Sequence, residues 1–340
     1  MPTTINKIGV IGAGAWGTAL AKHLAEKGLE VRLWAHEEDV VNAINSSHEN
    51  PVFLKDVPLP PSLTATSSLV EAVKGRDGVL FAVPSHLTRS VLHQLAPCFS
   101  DPLPFVCTTK GIEEHSAKLM TQVMEDELPP SMHRSLMVLS GPSFASEFSA
   151  GKPTAVCLAG PDEQLARRFQ RALMTPAFRV YADTDVIGVQ LGGALKNVMA
   201  LAAGVIDGLD LGLNARAALI TRGLAETIRL GAAMGADPRT FYGLSGVGDL
   251  VLTCTGVLSR NHSVGVRLGK GEKLETILAG MQAIAEGIRT SRAALALARR
   301  YQVDMPIIQE INAVLYDDKS CRKAVTDLME RDPKSEKGWT

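Results

Sequence analysis

The 340-residue chain has 46% hydrophobic and 21% charged residues and a formal net charge of −1, an ordinary globular composition for which two domains is the natural division. That charge balance gives no reason to expect a nucleic-acid or anionic-membrane partner. The five cysteines (Cys98, Cys107, Cys157, Cys254, Cys321) are odd in number, form no C-x-x-C pair and lie mostly in apolar runs, which fits reduced thiols in a cytosol rather than a disulfide framework.

Lys7-Ile8-Gly9-Val10-Ile11 is a short β-branched run, and Gly12-Ala13-Gly14-Ala15-Trp16-Gly17 follows at once. Helix formers occupy Thr18 to Lys27, Gly28 stops them, and Glu30 to Ala35 reads as a second strand. The G-x-G-x-x-G thus sits between a strand and a helix, the setting in which its glycines let a pyrophosphate approach backbone N–H groups at a helix N-terminus. The alternative is a glycine-rich turn without a ligand. Further strands are expected at Gly78–Val83, Pro104–Thr108, Leu136–Ser140, Ala155–Ala159 and Arg179–Ala182, with helical segments such as Gln164 to Leu173 between most of them. This alternation predicts an α/β domain, a Rossmann-type doubly wound, mostly parallel sheet over residues 1–184. Pro2-Thr3-Thr4 is not a basic segment before an apolar core, so a cytoplasmic protein is expected.

After Asp183 strand-like runs almost vanish. Residues 185–330 read as an all-helical domain, and 331–340 as a polar tail. Helices are expected at Ala215 to Met234, Leu274 to Ala279, Thr290 to Arg300 and Ile307 to Leu315. The domain opens with Val186 to Ile206, whose single charge is Lys196. Its length would span a bilayer, but the central lysine, four glycines, Gln190 and Asn197 argue for a buried helix and against membrane insertion. A helix apolar all round is buried, and a buried ammonium is costly unless paired or used. Gly192 and Ala200, four positions away, and Ala203, seven away, are small enough to admit a close neighbour. The competing account is a lysine that snorkels to the surface.

Gly248-Asp249 and Ser259-Arg260-Asn261 flank Leu252 to Gly256, which reads as a loop. Ser259 is a candidate N-cap for a helix through Val264 to Leu268, and Arg260 in its first turn adds a fork suited to phosphate or carboxylate. Taken alone, a capped helix with a solvated arginine explains the same residues. Lys110-Gly111 and Gly141-Pro142-Ser143 each follow a strand, where ligands of open α/β sheets bind; a surface lysine and a turn are the plainer readings. Glu286-Gly287 either contacts a cofactor or ends a helix. Ala35 occupies the place where an acid would read a ribose hydroxyl. His36 beyond it could accept a 2′-phosphate, which tilts the cofactor toward NADP, although Glu37 or Glu38 reaches the ribose if the strand ends later. No H-E-x-x-H, cysteine–histidine cluster or P-loop supports a metal site. Cys254 has no histidine nearby in sequence to make it a nucleophile.

Together these segments resemble bacterial NAD(P)-dependent glycerol-3-phosphate dehydrogenase. The resemblance runs through GVIGAGAWGTALA from Gly9, FAVPS from Phe81, TTKGIE from Thr108 and LSGPSFASEFSAGKPTAV from Leu139. It continues through LGGALKNVMALAAGVIDGL from Leu191, SGVGDLVLTCTG from Ser245, SRN from Ser259 and AEGIRT from Ala285. It implies reversible hydride transfer between NADPH or NADH and dihydroxyacetone phosphate, giving sn-glycerol 3-phosphate for phospholipid synthesis, by a homodimer. By matching motif, Lys196 is the general acid/base. Lys110, Gly141, Ser143, Asp249, Ser259, Arg260 and Asn261 surround the substrate. Gly12, Gly14, Ala15, Trp16, Gly17, His36, Lys110, Ala145, Arg260, Ile284 and Glu286 line the cofactor. Ala15 stands where many relatives have serine, and Gly256 and Phe148 are also variant positions. The C-terminal part implied is the helical type of 6-phosphogluconate dehydrogenase. A lysine in an apolar site would have its pKa lowered by burial and raised by Asp249, which leaves the net sign open. Two other readings stand beside this one: a 3-hydroxyacid or 6-phosphogluconate-type dehydrogenase, and a non-catalytic dinucleotide sensor, which has no need of a proton donor.

Overall fold

A computed structural model describes residues 5–99, 101–281, 285–333 and 335–336. These fall into two compact units, one of residues up to Thr109 and from Met120 to Val186, the other of Lys110–Leu119 and everything from Ile187. The short segment Lys110–Leu119 therefore packs with the C-terminal unit, although it lies within the stretch whose sequence alternates strand and helix.

The first unit is built on one sheet of eight strands: β1 Lys7–Ile11, β2 Glu30–Trp34, β3 Thr64–Thr66, β4 Gly78–Phe81, β5 Phe105–Cys107, β6 Leu136–Ser140, β7 Thr154–Ala159 and β8 Phe178–Asp183. Their order is β3-β2-β1-β4-β5-β6-β7-β8. Every neighbouring pair is parallel except β6 with β7. The mostly parallel, doubly wound sheet expected from the sequence is thus present. Seven of its strands answer the expected runs; β3 was not foreseen. β1 and β4 lie side by side with β2 and β3 beyond β1, so the order reverses direction at β1, where such sheets open a crevice for ligands. The helix Ala15–Glu26 lays Ala19, Leu20 and Leu24, all fully buried, on a core with Ile8, Val10 and Leu33. Each such large side chain contributes about 1.5–3 kcal/mol by leaving water.

Among the described residues the second unit is helical, with one isolated β-bridge, Ile112 to Leu119. Its axis is Val186–Gly208, in which every residue from Gly188 to Ile206 is buried. Protein encloses this helix: Leu195, Val198, Met199 and Leu201 share a core with Ile288, Leu297 and Ile308. Arg260–Gly269 crosses it at backbone contact distance. A Cβ on Gly204 would stand 2.1 Å from the His262 carbonyl oxygen, and one on Gly265 would stand 2.0 Å from that of Leu201. Only glycine fits on either side of that crossing. The remaining helices include Gly212–Ala233, Asp249–Thr255, Glu286–Arg300, Pro306–Tyr316 and Cys321–Met329. Asp249–Thr255 corrects the expectation of a loop over Leu252 to Gly256. The glycines at 246, 248 and 256 and the β-branched Val251, Thr253 and Thr255 weaken its local helical signal, and packing against the lysine helix overrides them.

Candidate active site

In the sheet unit the fingerprint forms the turn from β1 into Ala15–Glu26. Gly12 has φ of 110°, and a Cβ there would stand 2.8 Å from the Ala82 carbonyl oxygen. A Cβ on Gly17 would stand 1.9 Å from the Gly12 oxygen. The fold itself requires both. Gly14 differs: its φ is −63°, open to any residue, and a Cβ on it meets nothing within 4 Å. Gly14 also gives the helix no side-chain cap, so the first-turn N–H groups lack both an intrahelical carbonyl and a capping oxygen. A glycine that the fold does not need, in front of uncapped donors, leaves room for an anion at that turn. These residues fit the pyrophosphate of a dinucleotide.

Other predicted residues of this unit lie after the carboxyl ends of parallel strands. β2 ends at Trp34; Ala35 is buried directly beyond it, and His36, Glu37 and Glu38 are exposed. Gly141 follows β6 with φ of 143°, and its carbonyl accepts from the Ser143 hydroxyl at 2.8 Å. Ala145 opens the short helix Ala145–Ser149. Trp16, half-buried, packs its ring 5.1 Å from that of Phe148.

In the helical unit Lys196 is 7% exposed, so it does not reach the surface. Its ammonium donates to Asp249 Oδ1 at 2.5 Å and to the Thr253 hydroxyl at 2.8 Å. Thr253 in turn donates to the Asp249 carbonyl at 2.6 Å. The other oxygen of the fully buried Asp249 takes Lys110 at 2.7 Å. Gly192 lets the backbone of Ser245 close on the lysine helix, since a Cβ there would stand 2.3 Å from the Ser245 oxygen. Burial is the largest influence on Lys196 and lowers its pKa; Asp249 raises it and Lys110 lowers it, and the ammonium ends at about 8. The sign left open by the sequence is therefore downward. Sequence reasoning misses Thr253. Its signal was the i, i+4 spacing from Asp249, meaningful only on a helix.

Ser259 is the N-cap of Arg260–Gly269, its hydroxyl accepting from the His262 N–H at 3.2 Å. Arg260 stands exposed in the first turn. Asn261 is buried, donating to Asn197 Oδ1 at 3.1 Å and accepting from the Gly287 N–H at 2.9 Å. That ties the Arg260 turn both to the residue after Lys196 and to the start of Glu286–Arg300, where Glu286 is half-buried. Ile284 lies outside the described residues. Cys254 is buried with its thiol pushed up to about 12, chiefly by burial, so it is no nucleophile at neutral pH.

The arrangement can move a proton at a buried amine, bind an anion beside it, and bind a second anion at a glycine turn. Residues 7–166 match the family described as NAD-dependent glycerol-3-phosphate dehydrogenase N-terminus, and residues 185–326 match its C-terminus. Glycerol-3-phosphate dehydrogenase (NAD(P)+) of Geobacter sulfurreducens is 53% identical over 97% of this chain and 99% of its own. The protein of the same name from Myxococcus xanthus is 52% identical over 96% and 98%. The crystal structure of glycerol-3-phosphate dehydrogenase from Coxiella burnetii superposes with a TM-score of 0.91 at 38% identity, covering 97% of this chain and all of that one.

Proposed function

The chain belongs to the NAD-dependent glycerol-3-phosphate dehydrogenase family, and we propose that Lys196 is its proton-handling residue and that its two units divide the binding work. The reaction is reversible hydride transfer between NAD(P)H and dihydroxyacetone phosphate, giving sn-glycerol 3-phosphate. The nicotinamide of the cofactor supplies or takes the hydride. Everything else falls to the protein.

Reduction builds negative charge on the substrate carbonyl oxygen. A buried ammonium stabilises that charge strongly and can deliver a proton to it. In the reverse direction the same nitrogen must accept the hydroxyl proton, and a pKa of about 8 brings the neutral amine within reach near neutral pH. Asp249 and Thr253 hold the amine in one orientation. Lys110 adds a second cation on the same carboxylate. The Ser259-capped turn with Arg260 grips the substrate phosphate, the helix N–H groups and guanidinium acting together, and so positions the carbonyl. In this reading Asn261 completes the substrate contacts.

The first unit, residues 1–184 in the sequence division, holds the cofactor through Gly12, Gly14, Ala15, Trp16, Gly17, His36 and Ala145. Residues 185–330 hold the substrate. The enzyme works as a cytoplasmic homodimer that feeds phospholipid synthesis. The observation that carries the mechanistic reading is the buried Lys196–Asp249 contact. Its test is consumption of NADPH or NADH on adding dihydroxyacetone phosphate, in wild type and Lys196→Met. Light scattering of the pure protein tests the dimer, and a monomer at working concentration would refute it.

A further inference from the structure

The helix Glu38–Ser47 ends at His48, which takes the left-handed conformation with φ of 54°. The chain then folds back so that the Leu54 N–H meets the Asn50 carbonyl at 3.0 Å. The side chain of Asn50 is completely buried. Its Nδ2 donates to the Ala13 carbonyl and to the Thr18 hydroxyl, both at 2.9 Å. Thr18, also completely buried, donates to that same carbonyl at 3.0 Å. Asn50 Oδ1 accepts from the Phe53 N–H at 3.1 Å. The amide orientation follows from the partners: a carbonyl can only accept and an N–H can only donate.

Ala13 is the middle residue of Gly12-Ala13-Gly14, so two side-chain donors converge on one carbonyl of the fingerprint turn. The peptide that joins Ala13 to Gly14 is trans, because the described chain has no cis bond. In a trans peptide the C=O and N–H point in opposite directions. Holding the Ala13 oxygen inward on Asn50 and Thr18 therefore holds the Gly14 N–H facing the other way. Gly14 is the residue whose Cβ would meet nothing within 4 Å. The Ala13–Gly14 unit is glycine-flanked, and without these bonds it is the part of the turn freest to rotate.

We propose that Asn50 and Thr18 are positioning residues for cofactor binding: together they lock the Ala13–Gly14 peptide so that the Gly14 N–H is presented, preorganised, to the pyrophosphate of the dinucleotide. This rests on the reading that the glycine turn receives that pyrophosphate. Neither side chain touches the ligand. They act by removing the cost of ordering the turn at the moment of binding.

The test uses the intact enzyme with Asn50→Asp, Thr18→Val, Thr18→Ser and Gly14→Val. Asn50→Asp keeps size and the acceptor for Phe53 but puts an oxygen against the Ala13 carbonyl. Thr18→Val keeps shape and removes the hydroxyl; Thr18→Ser restores it. NADPH affinity is read by tryptophan fluorescence, with ADP-ribose and adenosine 2′-monophosphate as competitors, one carrying the pyrophosphate and the other lacking it. Asn50→Asp and Thr18→Val should each weaken NADPH and ADP-ribose about tenfold, the scale of one lost buried hydrogen bond. Adenosine 2′-monophosphate should bind as in wild type, Thr18→Ser should recover most of the loss, and kcat at saturating cofactor should change far less than KM for NADPH. Gly14→Val, which fills the space itself, should abolish NADPH binding in a folded protein. Wild-type NADPH affinity in both Asn50→Asp and Thr18→Val, or equal loss of all three ligands, overturns the proposal. Should Asn50→Asp fail to fold, Thr18→Val against Thr18→Ser decides alone. If Gly14→Val binds NADPH normally, the pyrophosphate reading is wrong and the proposal falls with it; if only Gly14→Val loses binding, the reading stands and the role of Asn50 and Thr18 is refuted.

Discussion

Lys196 and Asp249, 53 positions apart in the chain, meet at 2.5 Å with the carboxylate fully buried. That contact has two effects. It stabilises the ammonium, and it keeps the amine aimed. Burial and Lys110 oppose the first effect, which is why the ammonium still gives up its proton at about 8. If this nitrogen handles the proton, Lys196→Met should lower kcat by roughly 100-fold or more while NADPH binding persists. Near-normal turnover in a folded variant would remove Lys196 from the mechanism.

On that assignment the same group also sets the pH dependence. Reduction of dihydroxyacetone phosphate needs the ammonium, so its rate should fall as pH rises through about 8. Oxidation of sn-glycerol 3-phosphate needs the neutral amine and should rise through the same range. Asp249 raises the lysine pKa, so Asp249→Asn should displace both limbs toward lower pH and lower kcat by loosening the amine. Profiles of kcat in both directions check this; an Asp249→Asn profile that stays in place would mean another group titrates.

Much of this was legible in the sequence, and the exceptions have physical causes. Apolar strand runs and the glycine turn are local signals, so β1, β2 and the helix between them could be read directly. β3 could not: Thr64-Ala65-Thr66 is three residues without an apolar run, and it is a strand because it pairs with Arg32 to Trp34 of β2. Lys196 stood out as a lone charge among apolar residues, yet nothing local joins it to its partner in Asp249–Thr255. The Asn50 contact with Ala13, at a separation of 37 residues, is likewise visible only once the chain has folded.

Arg260 is exposed at a helix start whose Ser259 hydroxyl already serves the His262 N–H. If its guanidinium grips the phosphate, Arg260→Ala should raise KM for dihydroxyacetone phosphate by roughly 10- to 100-fold, the range expected for a charge-assisted bidentate contact. Unphosphorylated dihydroxyacetone should lose little. Equal losses on both substrates would assign Arg260 to the cofactor or to folding instead.

Cofactor choice turns on the end of β2. That strand stops at Trp34 with buried Ala35 next, so no carboxylate occupies the strand end, and exposed His36 follows. NADPH should therefore be used at least as well as NADH. His36→Asp should reverse the ratio of kcat/KM values, because an added carboxylate repels a 2′-phosphate and accepts from free ribose hydroxyls. A wild-type preference for NADH that survives the substitution would place the ribose on Glu37 or Glu38.

Glu226 makes the last prediction, on stability rather than turnover. It is 2% exposed in Gly212–Ala233, and its carboxylate accepts the N–H groups of Ile307 at 2.7 Å and Ile308 at 3.3 Å. The helix Pro306–Tyr316 has no side-chain cap of its own, so Glu226 supplies one from another helix. Burial is the largest influence and raises its pKa from 4.5 to about 7, against the two N–H bonds, which lower it. Between those values the folded chain holds a proton that the unfolded chain has released. Stability from this group is then full below pH about 4.5 and is lost as pH rises through about 7, a change on the order of 3 kcal/mol. Glu226→Gln keeps the size and one acceptor but cannot ionise. Its Tm should therefore gain on wild type as pH rises across that window, by several degrees for a unit of this size. Parallel Tm curves for the two proteins from pH 4.5 to 8 would show that Glu226 keeps the same protonation in the folded and unfolded chains.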